Sequence, residues 1–549
     1  TSEVIVRATS VYAKALKTGE KVHTDKFVPL SSHWDAVPQL PLITTVTFTV
    51  SIGTNKVLYI GNDSIHTSNP DADTVHSVSI DEYMRGNDSI SDVSTTVPVP
   101  TVHQAYDIVV LRVDTGYFSG NTHFSPVSSS LSSSIPSGSG SYSPNPVRIR
   151  SFLSLLERIY ANNTIKGRKG VRSSKIVIYF GGCGVDIIDS SHCSGFMWSI
   201  GGAISGIFNS LRLEYPNVAC KVVLDMNMTL EPVHVPVQSY MYAEIISIMT
   251  DEFSDCEVLY KNSERHIRSY KPTSTDTDTN TGSDTASDEV AVEAMRPVGI
   301  LGQLPGAIII TGGMGGLGLL TARVLVECGR AAHIVLVSRS GVVSHKGQGL
   351  EAELSWLLDG DRDTRVHVMC CDVSDEAQVL QLLSDVRVKC GGISGIVHAA
   401  GVLRDGLLRG GGAEAGCEAV WSAKALSGWW LHEHSLCDEL SLFVCYSSIT
   451  SSLGNPGQSV YGGSNSFLDH LMVHRVGLGL CGLSIQWPAI LGVGMAAANG
   501  NVVEDDATSM LREDAVKCIK HSVGVGSGTI LSSTCVMYPL GLHSLVSEA

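Results

Sequence analysis

The segment AIIITGGMGGLGLLTARVLVECG, residues 307–329, constrains this chain more than any other. Its β-branched start reads as a fully buried strand, and the residues from Gly318 to Cys328 read as a helix. Between the two lie Thr311, Gly312, Gly313, Met314, Gly315, Gly316, Leu317 and Gly318. Glycines let a backbone turn sharply and come close to a pyrophosphate, whose charge a helix N-terminus favours. Gly312, Gly316 and Gly318 are the expected points of closest approach. A glycine loop alone is a weak signal, and its place between a strand and a helix is what gives it weight.

The alternation continues downstream. HIVLVS, VHVMCCDV and GIVHAAG read as further strands, which with intervening helices predict an α/β fold with a doubly wound parallel sheet. The second strand ends in Ser338, Arg339 and Ser340, where an NAD site would place an acidic residue for the ribose 2′-hydroxyl. Arg339 instead suits a 2′-phosphate, pointing to NADPH. Asp372, with Val373 beside it, ends the next strand and can accept a bond from an adenine amino group. His398, Ala399, Ala400 and Gly401 end the fourth, where small residues leave room for a nicotinamide ribose.

A chain of 549 residues exceeds one compact core and predicts two or three domains. Upstream of the glycine loop, KIVIYFGGCGVDII and ACKVVLDMNM read as strands around the helical stretch WSIGGAISGIFNSLRLEY, with no GxGxxG after them. This half is expected to be a second, truncated Rossmann-like unit without a cofactor loop. Ser125–Pro146 is Ser/Gly/Pro-rich and Thr273–Glu289 is acidic and Thr-rich, and neither can bury enough apolar surface to fold. The first reads as a loop near 125–146 within a structural unit at 1–272. The second reads as a linker at 273–292, ahead of a cofactor-binding unit at 293–549.

The net charge of −16 argues against a nucleic-acid partner. The longest uncharged window, Ser190–Leu211, is too rich in Ser, His, Asn and Gly for a membrane span and reads as a buried helix. Fourteen cysteines show neither a CxxC pair nor a metal-like Cys/His spacing. Cys370 and Cys371, adjacent at a strand end, are expected to be buried free thiols. A reducing, intracellular, cytoplasmic setting fits this usage, and no metal is expected. The start TSEVIVRATS has no initiator Met and no leader pattern, and reads as part of a longer polypeptide.

The chemistry is expected in AVWSAKALSGWW…FVCYSSITSSLGNPGQSVYGGSNSFLDHL. Tyr461 and Asn465 are four apart on a predicted helix and share a face. A phenol titrates near ~10 and gives up its proton reluctantly at neutral pH. A nearby ammonium would lower that value, and Lys424 is the candidate. Ser448 ends an apolar strand, where its hydroxyl can hold a carbonyl oxygen as negative charge develops. Asn465 would orient Lys424 or a relay water. Each residue alone has an ordinary explanation as core, turn or surface, and only the joint pattern points to reduction.

These motifs resemble the ketoreductase domain of modular type I polyketide synthases, a branch of the short-chain dehydrogenase/reductase superfamily. The order TGGMGGLG…SRSG…HAAGVLRDGLL…AVWSAKALSGWWLH…YSSITSSLGNPGQSVYGGSNSFLD follows that family. So do the intervals of 24 from Lys424 to Ser448, 13 to Tyr461 and 4 to Asn465. Ordinary short-chain dehydrogenases carry lysine where Asn465 stands. The likeness is strong over 305–548, looser over 175–272, and weak before that.

The resemblance implies catalysis by Lys424, Ser448, Tyr461 and Asn465, with NADPH in the glycine loop. It implies a β-ketoacyl thioester delivered by the phosphopantetheine of an acyl carrier protein, among neighbouring domains of a megasynthase. The N-terminal unit would brace the catalytic one. In that family Leu-Asp-Asp after the HAAG strand marks B-type enzymes, which give the D-hydroxyl, and tryptophan eight before the tyrosine marks A-type. This chain has Leu403, Arg404 and Asp405, with Leu453 at the tryptophan position, so B-type is implied. WPAI stands at Trp487 where the family reads WGPW, with the usual distance to Met495. Residues 493–508 would form a lid. A fatty acid synthase ketoreductase, a stand-alone alcohol dehydrogenase and an inactive structural module are the alternatives.

Overall fold

The computed structural model describes residues 27–37, 57–60, 75–78, 80, 108–114, 146–163, 175–181, 191–225, 237–250, 255–261, 264–272, 304–359, 363–498, 509–524 and 534–539. The Ser/Gly/Pro tract up to residue 145, the acidic tract and residues 499–508 of the expected lid lie outside them.

The first half contains β1 (Phe27–Ala36), β2 (Val57–Ile60), β3 (Val75–Val78), β4 (Ile108–Asp114), α1 (Pro146–Asn163), β5 (Lys175–Gly181), α2 (Ser191–Glu214), β6 (Ala219–Asp225), α3 (Val237–Thr250), β7 (Glu257–Lys261) and β8 (Glu264–Pro272). The second half begins with β9 (Leu304–Thr311), α4 (Gly316–Glu327), β10 (Ala331–Ser338), α5 (Leu350–Leu358), β11 (Arg365–Cys370), α6 (Glu376–Cys390) and β12 (Ile393–His398). It continues with α7 (Cys417–Trp421), a π-helical turn (Ser422–Leu426), α8 (Ser427–Glu433), β13 (Leu442–Ser448), α9 (Thr450–Leu453), α10 (Ser459–Gly477) and β14 (Leu483–Trp487). It ends with β15 (Ala489–Ile490), α11 (Gly494–Ala498), β16 (Ser509–Met510), α12 (Arg512–Ile519) and β17 (Thr534–Pro539).

One sheet runs through both halves in the order β11-β10-β9-β12-β13-β14-β17-β1-β8-β7-β6-β5-β4-β2-β3. From β11 to β17 the strands are parallel, and their order reverses at β9/β12. Such a reversal opens a crevice beyond the strands' carboxyl ends, where doubly wound sheets bind ligands. The first half repeats the pattern from β3 to β7 with one strand fewer beyond its own reversal at β2/β4. Antiparallel pairings of β17 with β1 and of β1 with β8 join the two.

β9 and β12 are buried along almost their whole length because helices cover both faces, which explains their unbroken apolar character. The halves also meet through helices. α2 lies against α10, and small residues allow the close approach: a Cβ on Gly206 would sit 2.5 Å from the Gly462 carbonyl oxygen, and one on Gly463 2.7 Å from Ile207 Cγ1. Phe196 of α2 packs edge-on against Trp429 and Phe467, with centroids 5.2 and 5.7 Å away. A single apolar cluster therefore spans the join. No helix among the described residues is long and apolar enough to cross a membrane.

Candidate active site

The glycine loop lies at the reversal point, between β9 and α4. Gly312 has φ +64°, and a Cβ there would come 2.6 Å from the Ala399 carbonyl oxygen. A Cβ on Gly318 would collide with the Gly312 carbonyl, and one on Gly316 would sit 2.7 Å from Gly494 N. The loop thus folds back on itself and on the strand ends, which excludes side chains. Gly315 precedes α4 without a side-chain cap, leaving the helix N–H groups facing outward.

They face a cleft of about 560 Å³. Gly312, Gly315, Gly316, Leu317 and Gly318 form one side of it, and Ala399, Ala400, Gly401 and Leu403 another. Arg339 and Ser340 line it at the end of β10, and Met495 and Gly494 close it from above. Hydrogen bonds between Gln348 and Gly494, 2.8 Å to Gly494 N and 3.2 Å to its oxygen, fix that closing segment. An uncapped helix end and a cradle that any Cβ would fill fit a dinucleotide. The composition of the segments gave no sign that Val343, Ser344 and His345 also line the cleft, which Arg404 of the stereochemical signature reaches as well.

Other expected contacts are placed elsewhere. The Met314 side chain is buried in the core beneath the loop, and Gly313 packs against β9 and β10. Ser338 Oγ accepts from Gly341 N at 3.0 Å. Asp372 turns its carboxylate to Ser374, at 3.0 Å from N and 2.6 Å from Oγ, and Val373 is buried. His398 is fully buried and is a structural link: Nε2 donates to the Lys424 carbonyl at 2.9 Å, leaving Nδ1 to accept from Thr311 Oγ1 at 2.7 Å. Burial, with Lys424 nearby, drives its pKa down to about 3.

The four catalytic candidates converge just beyond the Gly401 end of the cleft. Lys424 projects from the π-helical turn, is 3% exposed, and donates from Nζ to the Tyr446 and Ala400 carbonyls at 2.9 and 3.4 Å. Its Nζ lies 5.6 Å from the Tyr461 ring centre. Burial lowers this ammonium to about 8, against the smaller opposing pull of Cys445 and Asp469. Ser448 ends β13, with Oγ 3.2 Å from both Thr450 Oγ1 and Thr450 N. Asn465 donates from Nδ2 to the Tyr461 carbonyl at 2.8 Å, and its buried Oδ1 has no partner.

Tyr461 departs from the sequence expectation. Burial raises its phenol above the usual value, hydrogen bonding to Asn465 and Ser448 pulls it down, and the charge of Asp405 pushes it up. The phenol therefore keeps its proton at neutral pH, as a proton donor requires. Asp405 is exposed and accepts from Gln458 Nε2 at 2.9 Å, while Leu453 is buried in α9.

Asp469 escaped the sequence reading. It accepts from Ser451, Ser484 and Gln486 at 2.7, 2.6 and 2.7 Å, tying α10 to α9 and β14 behind the site. Its place one turn beyond Asn465 was the available signal. A metal-type cluster also escaped. His333, His367 and Cys390 bring ligand atoms within 4.8 Å, with the two imidazoles 3.0 Å apart. It sits near the starts of β10 and β11, remote from the cleft, and the positive charges of Lys389 and Arg365 that act on His367 oppose a cation there. Cys371 is buried as expected, whereas Cys370 is exposed.

A parallel sheet reversing at a glycine loop, with Tyr, Ser, Asn and Lys gathered at the strand ends, defines a Rossmann-like α/β fold of the kind seen in polyketide synthase ketoreductases. Residues 306–492 match the family model described as KR domain, a likeness to the ketoreductase domains of modular polyketide synthases. Over 180 residues the chain is 38% identical to the phenolphthiocerol synthesis polyketide synthase type I Pks15/1 of Mycobacterium marinum, covering 33% of this chain and 8% of that protein. Over 194 residues it is 39% identical to the spectinabilin polyketide synthase system protein NorB of Streptomyces orinoci, covering 35% and 9%. The match thus spans less than a tenth of either synthase. Among solved structures, the ketoreductase from the first module of phoslactomycin biosynthesis in Streptomyces sp. HK803 aligns with TM-score 0.58 at 19% identity, over 94% of each chain. An A-type ketoreductase from a modular polyketide synthase aligns with TM-score 0.60 at 18%, over 93% of each. At these identities the two structures speak for the fold, including that of the first half.

Proposed function

We propose that this chain reduces a β-ketoacyl thioester, carried on the phosphopantetheine of an acyl carrier protein, to the β-hydroxyacyl thioester with NADPH. The observation that carries this is the convergence of Lys424, Ser448, Tyr461 and Asn465 beside a cleft built on an uncapped helix end. When bound, NADPH supplies the hydride for the carbonyl carbon. Arg339 and Ser340, at the cleft wall without an acidic neighbour on β10, support a 2′-phosphate.

The remaining work falls to the chain's own side chains. Ser448 holds the carbonyl oxygen and Tyr461 gives it a proton, so the C=O π bond is replaced by one C–H and one O–H bond. The Lys424 ammonium, fixed behind the phenol, stabilises the phenolate left behind. Asn465 offers its free Oδ1 to a proton relay. Leu403 and Arg404 at the cleft, Asp405 beside Tyr461, and Leu453 in place of tryptophan support B-type, D-hydroxyl stereochemistry. Residues 1–272 would serve as the bracing unit of an intracellular megasynthase.

The test is NADPH oxidation with a diketide thioester or decalone, followed by chiral analysis of the alcohol. Tyr461→Phe is expected to lower the rate by about 10²–10⁴-fold while NADPH still binds. Full activity in that variant sinks the assignment, and an L-configured product overturns the stereochemical part.

A further inference from the structure

Glu214 is the last residue of α2, in the half that carries none of the catalytic candidates. Its carboxylate reaches across the join and accepts two main-chain N–H groups, Leu408 N on Oε2 and Gly457 N on Oε1, each at 2.9 Å. Those donors belong to the two loops that flank Tyr461. One carries Leu403, Arg404 and Asp405, and the other runs directly into α10. The loops are also bonded to each other, Gly406 N to the Gly457 carbonyl at 2.8 Å and Gln458 Nε2 to Asp405 Oδ2 at 2.9 Å. Gln458 in turn accepts from Thr450 Oγ1 at 3.4 Å, whose neighbour is Ser448. A second carboxylate from the same half, Glu157 of α1, accepts from Gly410 N and Gly411 N at 2.6 and 3.0 Å.

We propose that Glu214 is a positioning residue for substrate, clamping the 403–408 and 454–458 loops so that the acyl chain meets Tyr461 in one orientation. This rests on the ketoreductase reading above and adds to it a specificity role for the non-catalytic half. Hydrogen bonds to a charged acceptor are stronger than neutral ones and fix direction, and two from one carboxylate fix the distance between the loops. The two donors themselves, Leu408 and Gly457, stand outside the cofactor cleft, whose wall the same loop reaches only through Leu403 and Arg404.

The experiment compares the parent chain with Glu214→Gln, whose amide offers one oxygen and one N–H₂ group to two N–H donors. Glu214→Asp, charged but one methylene shorter, serves if the first variant does not fold. With a diketide thioester, the variant is expected to show a KM raised about tenfold, the size of one lost charge-assisted bond. The ratio of the two enantiomeric alcohols should move toward one, with NADPH affinity within about twofold of the parent. Amide exchange should quicken by about tenfold or more at Leu408 and Gly457 and stay unchanged in β9 and β12. Unchanged KM, enantiomer ratio and loop exchange overturn the proposal. A uniform rise in exchange with joint loss of NADPH affinity also overturns it, because that is the signature of general destabilisation. If the parent reduces no ketone, the ketoreductase reading fails, and the exchange measurement alone decides whether Glu214 holds the loops.

Discussion

Lys424 shows how a residue's surroundings set its chemistry. An ammonium removed from water is less stable charged, and the two carbonyls that accept its hydrogen bonds offset only part of that cost. With its pKa near 8, the side chain loses its positive form just above neutrality. In the proposed mechanism charged Lys424 is the form that stabilises the Tyr461 phenolate, so ketone reduction should fall as pH rises through about 8. A guanidinium stays protonated there, so Lys424→Arg should be slower at pH 7 yet lack that decline up to about pH 10. Rates measured from pH 6 to 10 check this, and a parent profile flat across pH 8 contradicts it. Spacing identified Lys424, Ser448, Tyr461 and Asn465 together. Spacing did not reveal that the phenol is raised, because burial and the charge of Asp405 come from contacts remote in sequence.

At the scale of elements, the α2–α10 contact matters most, since α10 carries both Tyr461 and Asn465. The two helices meet through glycines, and α10 is seated by the first half. Gly206→Ala puts a methyl 2.5 Å from the Gly462 carbonyl, so the helices must separate. The expected cost is about 1–3 kcal/mol, with a lower rate as Tyr461 shifts. Gly477→Ala is the control. It lies at the end of α10, its Cβ would meet nothing within 4 Å, and alanine is the better helix former, so stability should stay level or rise by up to about 1 kcal/mol. Urea midpoints of the two variants provide the comparison, and equal losses would refute the close-packing argument. The sequence showed a helix rich in small residues, but periodicity could not say which helix it packs on.

Across the whole molecule, two buried neutral histidines couple stability to pH. His470 of α10 donates to the Ser466 carbonyl at 2.9 Å and accepts from Arg268 of β8 at 3.1 Å, so it bridges the halves as His398 bridges β9 and the π-helical turn. Burial, with Arg268 beside it, lowers His470 to about 3. Below pH 6.5 the unfolded chain takes up a proton that the folded chain refuses, so stability falls as pH drops from 6.5 toward 3. That amounts to about 2 kcal/mol per histidine at pH 5. Glu214 and Asp469, raised by burial, act with the opposite sign. The informative measurement is therefore a difference. Between pH 7.5 and 5, His470→Gln should lose about 2 kcal/mol less than the parent in urea unfolding, and parallel losses would exclude this coupling.

The sequence by itself determined the parallel α/β fold, the glycine loop, and the positions of Tyr461, Asn465 and Ser448 on their helix and strand. These depend on local periodicity and on the backbone freedom of glycine, which neighbours in the chain express directly. Tertiary structure alone decided the rest. Phe27 pairs with Pro539, so the first and last described strands close the sheet between the halves. Lys424 is aimed by a π-helical turn, Asp469 anchors α10, and Glu214 reaches from one half to the loops of the other. Each depends on groups that meet only once the chain has folded, where burial shifts their protons and a single carboxylate can hold two distant loops in place.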